Sequence, residues 1–307
     1  MEQAALEQVL GSPLRLTLDE IVNHPRLAEA RKVYLDRFLA VFDGDPFLVR
    51  LLLDAGRFFV FYSAAVVEAG EDPARRETWF TLSRLKQEIA LFGFASDRHV
   101  DQLVRRLTAV GFLEQRIAPA DRRVRLLATT DRLRAHHSAW LVANFAPLAE
   151  LYPQHDYGPV LRHDRDFHAL HCRMCLPFNA IGARVMATLT DVLLFFSHAA
   201  GPLIVCALMQ AAMEAEDQRA GVPYNDAADR FGVSRTHVRR LMQQAEAAGL
   251  VKLIGRGGRR VEILPPLWAS QDRGLAVGMY LHDAVNLAAM RVWQQQAGSA
   301  AERVGAA

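Results

Sequence analysis

The chain has 307 residues, of which 51% are hydrophobic and 23% are charged. This composition is that of an ordinary globular protein and excludes disordered and collagen-like chains. At about 150 residues per domain, the length predicts two domains. Three cysteines are too few for the disulfide framework of a secreted protein, and no basic leader precedes an apolar run at the N-terminus, so we expect a cytoplasmic protein.

One stretch of the chain has the length of a membrane span. Residues 192–213 are 22 residues long and contain no charged side chain. Gly201 and Pro202 interrupt this stretch, and a proline after a glycine more readily starts a new helix than continues an old one. We therefore predict two buried helices, of about ten and fifteen residues, rather than a span.

Charge is distributed unevenly along the chain, although the formal net charge is only +2. Residues 96–136 contain nine arginines and five acidic side chains, and residues 234–262 contain seven basic and two acidic ones. The rest of the chain is therefore acidic. Two basic islands of this kind are typical of surfaces that bind a polyanion.

An internal repeat organises the sequence. Residues 95–114 align without a gap with residues 233–252 at an offset of 138, and residues 55–72 match residues 200–217 at an offset of 145. Two matches in the same order indicate that one unit of about 145 residues is used twice. The predicted domains are a first repeat at residues 1–150 and a second at residues 151–307.

Within each unit the sequence predicts three helices, a strand pair and a further helix. In the second copy a short helix over 224–230 leads through a tight turn to Ser234, which can cap a helix that ends at Gly249. A strand pair around the tip GRGGRR follows. The first copy repeats this pattern from Ser96, with Gly111 as the stop and APADRR as the tip. The predicted fold is mostly α, with two tandem winged helix-turn-helix domains at about residues 73–130 and 219–267.

Residues 96–130, SDRHVDQLVRRLTAVGFLEQRIAPADRRVRLLATT, resemble the MarR type of winged-helix transcription regulator. The resemblance covers about 55 residues and depends on the recognition helix, a Gly-Phe-Leu step and the wing residues Asp121, Arg122 and Arg123. The second copy departs from it, because GRGGRR lacks the wing aspartate. The resemblance implies a dimer that is fused here into one chain, an intramolecular pseudo-dimer that can act as a monomer. It also implies apolar joining helices, at residues 46–69 and 191–216.

The predicted recognition helices, residues 96–110 and 234–248, each carry a polar face opposite an apolar stripe. Arginine and glutamine on such a face can hydrogen-bond base edges in the major groove, and wing arginines reach phosphates or the minor groove. The alternative for each face is a solvated helix surface, but the same register in both copies favours double-stranded DNA. The predicted DNA-binding residues are Ser96, Arg98, Asp101, Gln102, Arg105, Ser234, Arg235, Thr236, Arg239, Arg240 and Gln243 on the helices, and Arg122, Arg123, Arg125, Arg256, Arg259 and Arg260 on the wings.

The two predicted reading faces differ from each other. Asp101 in the first helix corresponds to Arg239 in the second. A homodimer must read a palindrome, whereas this chain need not. We therefore predict a DNA site with two non-identical halves, in which Asp101 accepts a hydrogen bond from the amino group of cytosine.

The segment from His163 to Cys175 is rich in histidine and cysteine. Imidazole and thiolate are ligands for zinc and other transition metals, and on a helix the candidate ligands share one face. A single Cys-x-x-Cys motif without a second pair is more typical of a partly buried helix with incidental cysteines than of a metal or redox-sensing site, so we assign no cofactor. The four candidate metal ligands are His168, His171, Cys172 and Cys175.

Other histidines have structural interpretations. His99 and His237 lie at matching positions beside the predicted turns, where packing is favoured over a phosphate contact. His136 and His137 are predicted on the surface of a linking helix.

The aromatic bands on the apolar helices are more typical of core packing than of a ligand pocket. The MarR resemblance nevertheless implies a small-molecule effector between the joining helices and the winged helices. The bands comprise Phe58, Phe59, Phe61, Tyr62, Phe195 and Phe196.

No catalytic motif is present: the sequence lacks a GxxxxGK loop, a nucleophile elbow and an HExxH motif. We therefore expect a bacterial, nucleoid-associated transcription regulator, not an enzyme, that represses by occluding a promoter. Two alternatives remain open at this point. One is a plasmid-type replication initiator or chromosome-organising protein, and the other is a winged-helix scaffold that binds protein.

Overall fold

A computed structural model describes residues 2–215, 219–221, 224–255 and 260–305, although side chains 219–221 and 300–305 are not described. The first half of the chain is helical apart from one hairpin. Its elements are α1 Gln3–Leu10, α2 Leu18–Val22, α3 Leu27–Ala40, α4 Pro46–Leu52, α5 Ala55–Ala69, α6 Leu82–Ala90, α7 Asp97–Ala109, β1 Leu113–Ala118, β2 Asp121–Thr129 and α8 Asp131–Leu151.

The second half follows a similar order and ends in a long helix. Its elements are α9 Gly158–Leu161, α10 Arg165–Cys175, α11 Asn179–Ala187, α12 Thr190–Phe196, α13 Gly201–Glu214, β3 Arg219–Gly221, α14 Tyr224–Phe231, α15 Arg235–Ala247, β4 Val251–Ile254, β5 Arg260–Ile263 and α16 Pro265–Gly305. The described residues are thus mostly helical and include two small antiparallel sheets, as the sequence predicts.

The first helix–hairpin unit comprises α6, α7, β1 and β2. The Ser96 hydroxyl accepts a hydrogen bond from His99 N (3.3 Å) and so caps α7, as predicted. The apolar stripe of α7 is buried, and Gly111 (φ 77°) ends the helix in the left-handed conformation that glycine adopts without strain. β1 and β2 then pair antiparallel, and Leu127 N donates to Phe80 O across 2.7 Å.

The second helix–hairpin unit comprises β3, α14, α15, β4 and β5. The start and the end of its long helix match those of α7. The Ser234 hydroxyl accepts a hydrogen bond from His237 N (3.1 Å), and Gly249 (φ 72°) follows the end of α15. The sheet has the antiparallel order β3-β5-β4. β3 pairs with the edge of β5 that faces away from β4. In the first unit the corresponding edge of β2 is the one that bonds Phe80. The bounds of α7, α14 and α15 agree with the predicted ones to within one or two residues, whereas the predicted joining helix at residues 46–69 is divided into α4 and α5. The division falls where the Asp54 carboxylate caps a new helix by accepting a hydrogen bond from Arg57 N.

The two units also pack against equivalent points of the helices before them. His99 lies beside Gly56 at the start of α5, where a Cβ atom on the glycine would lie 3.5 Å from the imidazole Nε2. His237 Nε2 lies 2.8 Å from Ala199 O, just before α13. These contacts agree with the predicted packing role of both histidines.

The halves of the chain share their cores. One buried cluster includes α3, α5 and α7 of the first half together with α13, α14 and α15 of the second. The other includes α1, α2 and α8 together with α9, α10, α11 and α16. Residues 152–157 connect α8 to α9, which is where the repeat predicts its boundary. Helices of each half therefore bury apolar side chains of the other half.

The apolar stretch 192–213 forms two helices, as predicted. α12 ends at Phe196 and α13 begins at Gly201, where an added Cβ atom would lie 1.9 Å from Phe195 O. Within the described part of the chain no single helix is long and apolar enough to cross a membrane, although one pair, Arg165–Ala187 with Thr190–Phe196, meets the length and composition criteria together and is bent by 99°.

A buried ion pair connects the N-terminal segment to the C-terminal helix. Arg15 Nη2 lies 2.6 Å from Asp283 Oδ1, and the Asp283 side chain is only 2% exposed. The Tyr157 hydroxyl donates to the same carboxylate oxygen across 2.6 Å. Three segments that are far apart in sequence therefore meet at one buried negative charge.

We expect Asp283→Ala to lower the free energy of unfolding by about 3–5 kcal/mol, because it leaves the Arg15 charge and the Tyr157 hydroxyl without their acceptor. The matched control is Glu29→Ala, which removes an exposed ion pair with Arg26 (side chains 63% and 48% exposed) and should cost less than about 1 kcal/mol. Urea unfolding of both variants measures the difference. Equal losses would contradict the role of the buried carboxylate.

Candidate nucleic-acid interface and central cavity

The outer face of α7 is polar and exposed. Arg98, Gln102 and Arg105 are exposed on the side opposite the buried stripe of Val100 and Leu103. Ser96 is exposed as well, although its hydroxyl oxygen accepts the hydrogen bond from His99 N that caps α7. The predicted reading residues of this helix are therefore accessible, with one exception.

Asp101 is engaged within the protein. Its carboxylate forms a 2.8 Å ion pair with Lys86 of α6, and Lys86 also lies 3.7 Å from Asp97. The Asp101 hydrogen bond and charge raise the pKa of Lys86 against the opposing effect of desolvation. The ion pair involves one of the two Asp101 carboxylate oxygens, and the expectation that Asp101 reads cytosine stays a prediction. Sequence analysis did not single out Lys86, whose partner lies fifteen residues further along the chain.

The outer face of α15 is more basic than that of α7. The residues predicted to read DNA are all exposed on α15 or at its cap: Ser234, Arg235, Thr236, Arg239, Arg240 and Gln243. The acid nearest this face along α15, Glu246, accepts a hydrogen bond from Leu253 N (2.8 Å) and so holds β4 to the helix end. The stretch from Ser234 to Gln243 contains no acidic residue.

The wing arginines of the first unit are also exposed. Arg122, Arg123 and Arg125 lie on β2, and the turn before them is held by Asp121, whose carboxylate accepts from Arg123 N (3.0 Å) and pairs with Arg76 (3.1 Å). In the second unit Arg260 is exposed on β5. The predicted wing residues Arg256 and Arg259 lie outside the described residues.

The histidines of α8 are not on the surface, so this prediction was wrong. His137 is 2% exposed, and His136 packs edge-on against Phe42 and Phe61 with its Nε2 atom 3.2 Å from the Tyr62 hydroxyl. The physical reason is that α8 does not link two separate domains. It packs within the cores, so its N-terminal turns face apolar helices on one side.

The four candidate metal ligands of α10 divide into two pairs. His168 Nε2 lies 3.8 Å from Cys172 Sγ, and His171 Nδ1 lies 3.8 Å from Cys175 Sγ. His137 of α8 joins the first pair, and these three side chains form the one potential metal-ligand group found among the described residues. Sequence analysis missed His137, because it lies 31 residues before His168 and no local pattern relates the two.

A cavity of about 320 Å³ lies between α3, α5, α8, α10, α11, α12, α13 and α16. Of the six aromatic residues predicted as core, Phe61 is fully buried by neighbouring side chains. The other five line the cavity: Phe58, Phe59, Tyr62, Phe195 and Phe196. Among the polar lining groups, Gln271 Nε2 and Arg31 Nε are buried without a hydrogen-bond partner among the described residues. The other side of the Arg31 guanidinium pairs with Asp272 (2.7 Å).

Burial lowers the pKa of the histidines around this region. The pKa of His136, His168 and His282 falls from 6.5 to about 4, with desolvation as the main cause in each case, and the pKa of His137 and His171 falls well below its usual value for the same reason. All five rings are therefore uncharged at neutral pH.

No protein-family model, no curated protein and no solved structure matches this chain.

We expect the free energy of unfolding to decrease as the pH falls from about 6.5 to about 4. Unfolded histidines take up protons near pH 6.5, whereas His136, His168 and His282 do so only near pH 4, so each of these three rings lowers stability by up to about 1.4 kcal/mol per pH unit within this interval. The lowered pKa of His137 and His171 acts in the same direction. Urea unfolding at several pH values measures the slope.

His136→Gln should reduce this slope by about one proton, because it removes one buried ring. The control is Asn144→Ala, which truncates a buried polar side chain of the same helix that carries no titratable proton, and it should leave the slope unchanged. A slope that is the same in wild type and His136→Gln would contradict this assignment.

Proposed function

We propose that this protein is a sequence-specific, double-stranded DNA-binding transcription regulator in which two winged helices in one chain form a pseudo-dimer. The observation that carries the proposal is a repeated one. Two cap–helix–hairpin units, each anchored to its preceding helix through an equivalent histidine, present exposed arginine and glutamine side chains at the same helical register. A solvated surface without a ligand does not require this repetition.

The chemistry of the two faces fits base edges in the major groove. A guanidinium group can donate two hydrogen bonds to guanine O6 and N7, and a glutamine amide can bond adenine N6 and N7. Arg239, Arg240 and Gln243 on α15 are the strongest candidates, since they are exposed and the stretch from Ser234 to Gln243 contains no acidic residue. On α7 the candidates are Arg98, Gln102 and Arg105.

The wing arginines fit the phosphate backbone. An exposed hairpin with three arginines, as on β2, carries positive charge beyond the helix that it follows. Phosphate contacts of this kind fix the position of a protein on DNA without reading sequence, and they make the affinity strongly dependent on salt.

The central cavity supports a small-molecule effector as a further partner. Its aromatic lining fits an apolar molecule, and the unpaired N–H groups of Gln271 and Arg31 fit hydrogen-bond acceptors on it. Because helices from both halves line the cavity, a ligand there would contact the elements that hold the two proposed reading heads together.

Selection of binding sites from random double-stranded DNA should yield a consensus with two dissimilar halves. The reason is that α7 and α15 present different side chains at their four equivalent face positions, which pair Arg98 with Thr236, Asp101 with Arg239, Gln102 with Arg240, and Arg105 with Gln243. The half read by α15 should carry the greater information, with guanines opposite the arginines. A perfect inverted repeat, or no enrichment at all, would contradict the proposal.

Arg239→Ala combined with Arg240→Ala should weaken binding to the selected site by at least about thirtyfold, because each base-reading contact contributes about 1–3 kcal/mol. Arg98→Ala combined with Arg105→Ala should cause a smaller loss, since that face is less basic. The control is Arg165→Ala with Arg273→Ala, which removes the same charge from exposed positions on α10 and α16 and should leave binding nearly unchanged. Fluorescence anisotropy with labelled duplex measures all three. Equal losses in the α15 variant and the control would indicate nonspecific attraction only.

A further inference from the structure

Three potential ligand atoms from two helices converge between the halves of the molecule. His137 Nδ1 of α8 lies 2.8 Å from His168 Nε2 of α10, and Cys172 Sγ lies 3.8 Å from the same His168 nitrogen and 4.0 Å from His137 Nδ1. His137 and Cys172 are buried, and His168 is partly exposed. The arrangement places two imidazole nitrogens and one sulfur around a common point.

We propose that His137, His168 and Cys172 form a binding site for a transition metal ion of the zinc class. Two imidazoles and one thiolate are the donors that Zn²⁺ prefers, and three protein ligands leave a tetrahedral ion one position for water. The proposal does not depend on the DNA-binding function proposed above.

The distances between donors are close to those of a tetrahedral site. With zinc–nitrogen bonds of about 2.0–2.1 Å and a zinc–sulfur bond of about 2.3 Å, the two nitrogens stand about 3.3 Å apart and each stands about 3.6 Å from the sulfur. The observed separations of 2.8, 3.8 and 4.0 Å differ from these by half an ångström or less. Small side-chain rotations therefore suffice, without movement of either helix.

One acidic and one basic side chain lie near the three potential ligands. His168 is the most exposed of the three residues, although the ligand atoms themselves are buried. Glu68 lies close enough to act electrostatically on Cys172, and Arg134 does the same on His168, so one acid and one base flank the site. On binding, the Cys172 S–H bond breaks, a sulfur–metal bond forms, and the proton passes to the buffer.

The neighbouring His171–Cys175 pair provides an internal comparison. It has the same spacing on α10 and the same nitrogen-to-sulfur distance of 3.8 Å. No third donor of the described residues completes a group around it. The presence of His137 therefore distinguishes the proposed site from a helix that contains histidine and cysteine by chance.

A bound ion would connect the two halves of the chain. α8 is fixed to the first helix–hairpin unit, because the Thr130 hydroxyl donates to Gly111 O (2.9 Å) and Arg132 donates to Val110 O (2.9 Å) at the end of α7. α10 belongs to the second half. Coordination by His137 and His168 would thus link α8, which holds the end of α7, to α10 of the second half through the metal ion.

The test is cobalt titration of the full chain, purified without an affinity tag and stripped with chelator. Co²⁺ should give the visible bands of a tetrahedral complex and a thiolate-to-cobalt charge-transfer band, at one ion per chain, and Zn²⁺ should displace it. Zn²⁺ should also raise the melting temperature, since it binds the folded state. Bands of an octahedral ion without charge transfer would overturn the proposal.

Substitution of the proposed metal ligands tests which side chains bind the ion. Cys172→Ser should abolish the charge-transfer band, and His168→Gln, at a partly exposed position, should weaken metal binding at least about a hundredfold while retaining the fold by circular dichroism. The matched controls are Cys175→Ser and Cys206→Ser, which remove the other two thiols and should leave both band and affinity unchanged. Loss of the band in Cys175→Ser, or its persistence in Cys172→Ser, would overturn the assignment.

Discussion

Helices α5 and α13 are apolar on nearly every side, and a helix of this kind must be covered from all directions. In α5 the buried residues run almost without interruption from Ala55 to Val67, and α13 is buried in the same way from Gly201 to Met209. Part of that cover comes from the other half of the chain, since α10 packs against α5 and α3 packs against α13. Each half therefore uses the other, and Ala200 N even donates a backbone hydrogen bond to Leu53 O at the corner where the two helices begin (2.8 Å).

Features specified by local sequence could be predicted, because a few adjacent residues determine them. The caps at Ser96 and Ser234 and the left-handed glycines after α7 and α15 each depend on one side chain or its absence. The break before Gly201 has the same local origin, since a Cβ atom there would collide with Phe195 O. These positions explain why the bounds of both helix–hairpin units agree with the sequence prediction.

Features that depend on contacts between distant segments could not be predicted. His137 occupies a polar position in the sequence of α8, yet the second half covers that face and brings His168 to it. The ion pair of Lys86 with Asp101 likewise follows from how α6 crosses α7, which the sequence pattern of either helix does not specify. The cavity could be predicted least of all, because eight helices from both halves of the chain form its wall.

The connection of residues 152–157 between α8 and α9 makes the association of the two halves an event within one molecule. For two separate chains the fraction assembled falls on dilution, whereas here the local concentration of one half around the other is set by a six-residue tether. The interface can therefore tolerate weaker contacts than a dissociable dimer would need. The same tether also frees the two copies to accumulate different substitutions, since a change in one is not automatically repeated in the other.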